Sequence, residues 1–339
     1  MPEKTILTTH SKRSNPLWQE RTVLLPGWGE KVEKDVSRTG RECGYWEGLY
    51  WGWKLFRHSK SFKAVLTGSE RPAHVFALLQ RLCRRKKRVV HVFMDFPWNP
   101  PEKGLARILK CLRWHLEIAA VDRIVVLGGP EQEEMFSERL SVPRRKFKFV
   151  PYHHTLYDSI SSVSEGDYIF SGGDYTRDYV SLIRAVDGLP CRLLIVARNR
   201  RYFQTIQIPK NVEVLTTSPE RFEELLAGAK LVVLPMLPGL AHSGGQTVLL
   251  NALALGKPVI LAEDGSLTNY LSPGVEALMV RPGDPLALRK AIVRLLEDPE
   301  LARNLAKNAK CASDRYTPEA FFSRVFALVD KCLAESIRG

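Results

Sequence analysis

Two short glycine-bearing segments carry the residues best suited to chemistry. The first is Phe170-Ser171-Gly172-Gly173-Asp174-Tyr175-Thr176-Arg177-Asp178, between a strand pattern and a helix pattern. Glycines let backbone N–H groups approach a phosphate closely, and a helix N-terminus favours negative charge. The forked guanidinium of Arg177 suits bidentate neutralisation of a diphosphate; the alternative is a plain tight turn with a surface arginine. The second segment is Ala241-His242-Ser243-Gly244-Gly245-Gln246-Thr247, which opens another helix. Ser243 and Thr247 either cap that helix or bind phosphate oxygens. Asn251 lies one turn past Thr247 on the same face, where it meets a ligand or a buried backbone group. Arg198, Arg200 and Arg201 follow a strand ending at Val196. They offer a further cation or form a solvated basic loop.

The elements around these segments alternate. Strand patterns over 168–170, 192–196, 212–215, 231–234 and 258–262 are separated by helix patterns over 178–186, 219–226 and 247–255. Strands alternating with helices predict βαβ units on a parallel sheet with right-handed crossovers. The first half repeats the scheme, with strands over 62–67, 88–94, 123–127 and 147–150 and helices over 73–84 and 105–120. Residues 26–41 read as a loop-rich stretch. The expected domains are 1–155, 156–317 and a closing helix over 318–339 that packs back towards the first domain. Open α/β sheets bind ligands beyond the carboxyl ends of their strands. Two such units predict a central cleft there.

The two glycine segments, in this order and spacing, resemble those of the family 4 retaining glycosyltransferases. The resemblance runs over about 166–316. It is strongest in Gly244-Gly245-Gln246-Thr247-Val248-Leu249-Leu250-Asn251-Ala252-Leu253-Ala254-Leu255-Gly256-Lys257-Pro258-Val259-Ile260, then in Asn269-Tyr270-Leu271 and Val280-Arg281-Pro282-Gly283-Asp284-Pro285. It implies the GT-B fold: α/β, two Rossmann-like domains whose parallel sheets face a central cleft. It also implies transfer of a sugar from a UDP- or GDP-sugar with retention, and no cofactor beyond that donor. The family's glycine fits Gly172, and its second basic position fits Arg177; Gly173 stands where a first base is expected. Two glutamates eight residues apart are replaced by Ser243 and Asn251, with His242 adjacent. This resembles a subgroup that has a Gly-Gln-Thr turn. The later glutamate holds the donor ribose, so Asn251 is expected there without charge assistance. The resemblance sets the nucleobase near Thr216 and Thr217.

Retaining transfer of this kind needs no protein nucleophile. Its demands are positioning and stabilisation of the diphosphate leaving group. Arg177 and the amides of Gly244, Gly245, Gln246 and Thr247 are therefore the expected centre, with Ser243 beside the transferred sugar. No Asp-x-Asp motif is present, and no metal is expected. In this fold the first domain takes the acceptor. Asp95 follows the 88–94 strand and is expected to orient an acceptor hydroxyl or the donor sugar. His91 reads as a core histidine. His153 and His154 lie at the domain junction.

The 339 residues carry a net charge of +13, and it is segregated: residues 1–150 hold 29 Lys and Arg against 16 Asp and Glu, while 151–339 hold 21 of each. A segregated charge turns one domain towards something anionic. The basic run Arg84-Arg85-Lys86-Lys87-Arg88 and the aromatics Tyr45, Trp46, Tyr50, Trp51, Trp53 and Phe56 suggest an anionic membrane surface carrying a lipid-linked acceptor, while glycan and small-molecule acceptors stay open. The aromatics serve equally as a core helix. No nucleic-acid signature accompanies the charge. No apolar run spans a membrane, and the N-terminal segment has no signal core, so a cytoplasmic, at most peripheral, protein is expected. Six singly placed cysteines argue against zinc and thiol-redox roles. A non-catalytic sugar-nucleotide binder and a sugar-nucleotide epimerase are the rival readings.

Overall fold

The structure is a computed structural model. It describes residues 5–9, 15–28, 44–68, 70–83, 89–94, 104–156, 164–204, 206–237, 244–263 and 265–338. The chain divides into two compact units, Met1–Val150 with Phe321–Gly339, and Pro151–Ala320.

The first unit is built on a six-stranded sheet in the order β2-β1-β3-β4-β5-β6, from β1 (Ile6–Thr8), β2 (Thr22–Leu24), β3 (Ala64–Thr67), β4 (Val90–Phe93), β5 (Arg123–Val126) and β6 (Phe147–Phe149). All its pairs are parallel. β1 and β2 have three residues each, too few for a readable period. Helices α1 (Pro16–Arg21), α2 (Tyr45–His58), α3 (Arg71–Leu82), α4 (Leu105–Ala120) and α5 (Pro130–Leu140) connect them. Trp18 of α1 packs on Phe322 and Phe326 of the closing helix, at centroid distances of 5.0 and 5.6 Å. Arg21 binds the Asp330 carboxylate through both terminal nitrogens, at 2.6 and 3.0 Å.

Helix α2 divides the aromatic residues between core and solvent. Gly48, Trp51, Gly52 and Leu55 form its buried face. A Cβ on Gly52 would stand 2.5 Å from Val75 Cβ, and one on Gly48 2.9 Å from Arg71 Cβ. The two glycines therefore let α2 lie directly on α3. Trp51 enters the core against Trp28 at 5.3 Å. The opposite face leaves Tyr45, Trp46, Leu49, Tyr50 and Trp53 exposed, Trp46 by 80%. His91 is buried between Phe76 and Phe93, with Nε2 3.0 Å from Thr67 Oγ1.

The second unit has a sheet of order β12-β11-β10-β7-β8-β9, from β7 (Ile169–Gly172), β8 (Leu193–Val196), β9 (Val212–Leu215), β10 (Leu231–Leu234), β11 (Val259–Ala262) and β12 (Leu278–Val280). All pairs are again parallel. β7, β8, β10 and β11 are buried throughout, as apolar runs covered on both faces should be. Helices α6 (Tyr179–Val186), α7 (Pro219–Ala227), α8 (Gln246–Ala254), α9 (Gly265–Thr268), α10 (Pro285–Glu297) and α11 (Pro299–Ser313) complete it. Asp178, Ser218, Asp284 and Asp298 cap α6, α7, α10 and α11 by accepting an N–H three residues on. Asp178 therefore lies just outside the helix that its apolar pattern suggests.

The chain runs from β7 outward through β8 and β9, then returns to the other side of β7 as β10. The loops after β7 and β10 thus leave adjacent strands in opposite directions. This switch point is where an open α/β sheet forms its ligand crevice. Both glycine segments follow these two strands.

Candidate active site

Arg177 joins the two loops. Its backbone bridges Met236 in antiparallel fashion. Asp178 N–H donates to the Pro235 carbonyl at 2.7 Å, and Leu237 N–H to the Thr176 carbonyl at 3.0 Å. The Arg177 side chain is buried, at 3% exposure for the residue. Its Nε donates to the Gly172 carbonyl at 3.0 Å, and Nη1 to the Tyr175 carbonyl at 2.9 Å. Nη1 also lies 3.2 Å from Met236 Sδ. Thr176 adopts a left-handed φ of 58° to make this turn.

The guanidinium lies against the second glycine segment. Gly245 occupies the N-cap position of α8 with φ 93°. A Cβ there would stand 3.0 Å from Arg177 Nη2 and 3.2 Å from Nη1. Gly244 likewise approaches Thr176, whose Oγ1 would be 2.6 Å from an added Cβ. Only glycine permits both this backbone and this approach. The helix start that lies against Arg177 therefore has no side chain at its N-cap position.

Beside this junction is a cavity of about 280 Å³, lined by Gly173, Asp174, Ala197, Arg198, Thr217, Ser218, Phe222, Glu223, Thr247 and Asn251, among others. Asp174 shapes it: its Oδ1 accepts the N–H groups of Arg198 and Asn199 at 2.6 and 3.0 Å. The Arg198 side chain is exposed and makes no hydrogen bond or ion pair among the described residues. Arg200 is engaged elsewhere, on the Val214 carbonyl at 3.0 Å. Thr217 Oγ1 is buried and has no partner among the described residues. Phe222 contributes an aromatic edge, held at 89° to Phe170.

The structure places the expected site residues as follows. Gly173, Arg198, Thr247 and Asn251 line the cavity. Gly172, Arg177, Gly244 and Gly245 form the adjoining junction, and Gln246 is buried at the start of α8. Thr216 lies one residue before the cavity lining and donates its hydroxyl to the Ala197 carbonyl at 2.9 Å. Asp95, His242 and Ser243 lie outside the described residues, as does the basic run 84–88. Asn251 is 2% exposed and bonded to Thr155: Oδ1 accepts the Thr155 N–H at 2.7 Å, and Nδ2 donates to Thr155 Oγ1 at 3.2 Å.

His154 N–H donates to the Tyr316 carbonyl at 2.9 Å, and His153 Nδ1 stands 2.6 Å from the His154 carbonyl. Sequence reasoning missed Asp174, Phe222 and Glu223. Asp174 sits within the first glycine segment, but its partners lie 24 and 25 residues away. Glu223 reads as one charge among several on a helix.

Residues 170–298 match the family model for glycosyl transferases group 1. That segment holds every described residue of the junction and cavity. A curated relative, N-acetyl-alpha-D-glucosaminyl L-malate synthase of Bacillus anthracis, is 26% identical over 142 residues, which span 40% of this chain and 35% of that protein. Among solved structures, Anabaena HepE in complex with UDP is similar at TM-score 0.68 and 14% identity, over 97% of this chain and all of the other. HepE has also been solved with UDP-glucose. A glycosyltransferase from Rickettsia africae is similar at TM-score 0.68 and 12% identity, over 98% of this chain and 99% of the other. At these identities the likeness establishes the fold. Two parallel six-stranded sheets with flanking helices are the α/β architecture of GT-B glycosyltransferases.

Proposed function

We propose that this chain is a glycosyltransferase that moves a sugar from a nucleotide-sugar donor to an acceptor hydroxyl with retention of configuration. The observation that carries this reading is the meeting of Gly172, Arg177 and Gly245 at the switch point, beside a cavity of about 280 Å³. The glycosyl transferases group 1 match over 170–298 and the UDP complexes of HepE support it. In this reading the amides opening α8 receive the diphosphate, and Arg198 supplies the mobile cation. Arg177 acts mainly from beneath, holding both loops in register. The bond from the anomeric carbon to the phosphate oxygen breaks, and the acceptor oxygen bonds to that carbon on the same face. The acceptor proton passes to the departing phosphate oxygen. Asp95 and Ser243 are proposed to orient the acceptor and the transferred sugar.

We also propose that the acceptor is lipid-linked and that the first unit meets an anionic membrane surface from the cytoplasmic side. The exposed aromatic face of α2 supports this, with Lys54, Arg57 and Lys60 among its neighbours. Tryptophan and tyrosine favour the membrane interface, and basic residues favour anionic lipid. No described helix is long and apolar enough to cross a membrane.

Thermal unfolding against a panel of nucleoside diphosphates tests the donor reading. A ligand at 100 times its Kd adds about 2.7 kcal/mol, a readily seen shift in midpoint. The shifting nucleotide then names the sugar donors for a transfer assay, with the product anomer read by proton NMR. Absence of any shift overturns the donor site. Inversion at the anomeric carbon overturns retention alone.

A further inference from the structure

The cavity beside Arg177 contains a carboxylate with no visible employment. Glu223, on the second turn of α7, lines it together with Thr217, Ser218 and Phe222. It makes no hydrogen bond or ion pair among the described residues, whereas the adjacent Glu224 pairs with Arg221 at 2.7 Å. Burial, with the nearby Glu220 carboxylate, raises its pKa. A half-buried, unpaired carboxylate loses hydration without compensation unless something brings donors to it.

Two of the side-chain acceptor atoms of the cavity-lining residues serve the fold. Asp174 Oδ1 takes two backbone N–H groups, and Asn251 Oδ1 takes that of Thr155. Glu223 lines the cavity with neither carboxylate oxygen engaged among the described residues, beside the buried, unpartnered Thr217 hydroxyl. A carboxylate repels a diphosphate, so it belongs against an uncharged, donor-bearing part of the ligand. In a nucleoside diphosphate that part is the nucleoside. Two adjacent donors match the two oxygens of a carboxylate, and both the ribose diol and the N1–H and amino edge of guanine present such a pair.

We propose that Glu223, assisted by Thr217, is the residue that reads the nucleoside of the donor by accepting a pair of adjacent hydrogen-bond donors. This rests on the nucleotide-sugar reading above and adds to it the group that selects the nucleoside. It also assigns to α7 the task that the Asn251 position leaves undone.

Isothermal titration calorimetry of the full chain tests the assignment, using UDP, GDP, their 2′-deoxy forms and inorganic pyrophosphate. The proteins are wild type, E223Q, E223A and the neighbouring surface variant E224Q. E223Q and E223A should weaken the preferred nucleoside diphosphate by about tenfold or more, since a charged acceptor on paired donors is worth at least that factor. Pyrophosphate binding should not weaken in either, and E224Q should behave as wild type throughout. If the ribose is the source, the 2′-deoxy nucleotide binds wild type as weakly as the ribonucleotide binds E223Q. If guanine is the source, E223Q weakens GDP and leaves UDP unchanged. Unfolding midpoints equal to wild type establish that the variants are folded. Wild-type affinity of E223Q and E223A for every nucleotide overturns the assignment and leaves the phosphate cradle standing. Failure of wild type to bind any nucleotide overturns the donor reading and this inference with it.

Discussion

The side-chain carbonyl of Asn251 accepts the backbone N–H of Thr155 at 2.7 Å, across 96 residues of sequence. Asn251 thereby holds the segment that enters the second unit. Tyr270 helps by accepting the Tyr152 N–H at 3.0 Å, and its carbonyl receives the Tyr316 hydroxyl at 2.7 Å. N251A leaves the Thr155 N–H without this partner and should cost about 1–3 kcal/mol in urea unfolding. N251D keeps the acceptor but buries a carboxylate and loses the Nδ2 donor to Thr155 Oγ1, so it should destabilise as well. Equal stability of N251A and wild type would show that the bond contributes nothing.

Gly245 is constrained twice, by its positive φ and by the Arg177 guanidinium. G245A should lose about 1–2 kcal/mol from the left-handed backbone alone. Displacement of Arg177 should add to this and weaken nucleoside diphosphate binding. R177K should also destabilise, because an ammonium does not reproduce the fork that serves the Gly172 and Tyr175 carbonyls together. Urea unfolding measures the first effect, and calorimetry with UDP and GDP the second. Unchanged binding in both variants would separate Arg177 from the donor site.

The exposed face of α2 makes the membrane proposal testable without disturbing the core. Trp46 and Trp53 are 80% and 48% exposed. The W46S/W53S double variant should unfold at the wild-type midpoint yet float less with vesicles containing phosphatidylglycerol. Added salt should weaken flotation of the wild type, because charge contributes to it. Wild-type protein that stays unbound at low salt would remove the membrane from the account.

Cys332 lies in the closing helix, and burial pushes its thiol up to about 11. At pH 8 only about a thousandth is then thiolate, so native protein should leave it unmodified by iodoacetamide. Among the described cysteines the exposed Cys83 and Cys311 should react first, as mass spectrometry of the labelled peptides would show. Because the folded pKa is above the ordinary thiol value of 9.0, the stability that Cys332 contributes is whole below pH 9 and is lost as pH rises through 11. C332A should remove that alkaline loss. Early labelling of Cys332 would mean that the helix opens locally.

Much of the second unit was legible because its signals are local. A buried parallel strand is a short apolar run, and β9 and β10 match their patterns at both ends. The glycine segments were legible as turns, since positive φ and close approach leave little besides glycine. The same directness failed for β1 and β2, which are too short to show a period. It also failed for the aromatic residues of α2, because one helix serves core and solvent and only the Gly48 and Gly52 contacts with α3 decide which face turns inward.

The sequence by itself determined two α/β units, the order of their elements and the glycine segments at the strand ends, because hydrophobic period and backbone sterics act over a few residues. Tertiary structure alone decided what those residues meet. It turned the Arg177 guanidinium onto carbonyls of its own loop and against Gly245, and joined Asn251 to Thr155. It also brought Glu223, Thr217 and Arg198 to one cavity. Side chains with several hydrogen-bonding options choose among partners that only the folded chain brings within reach.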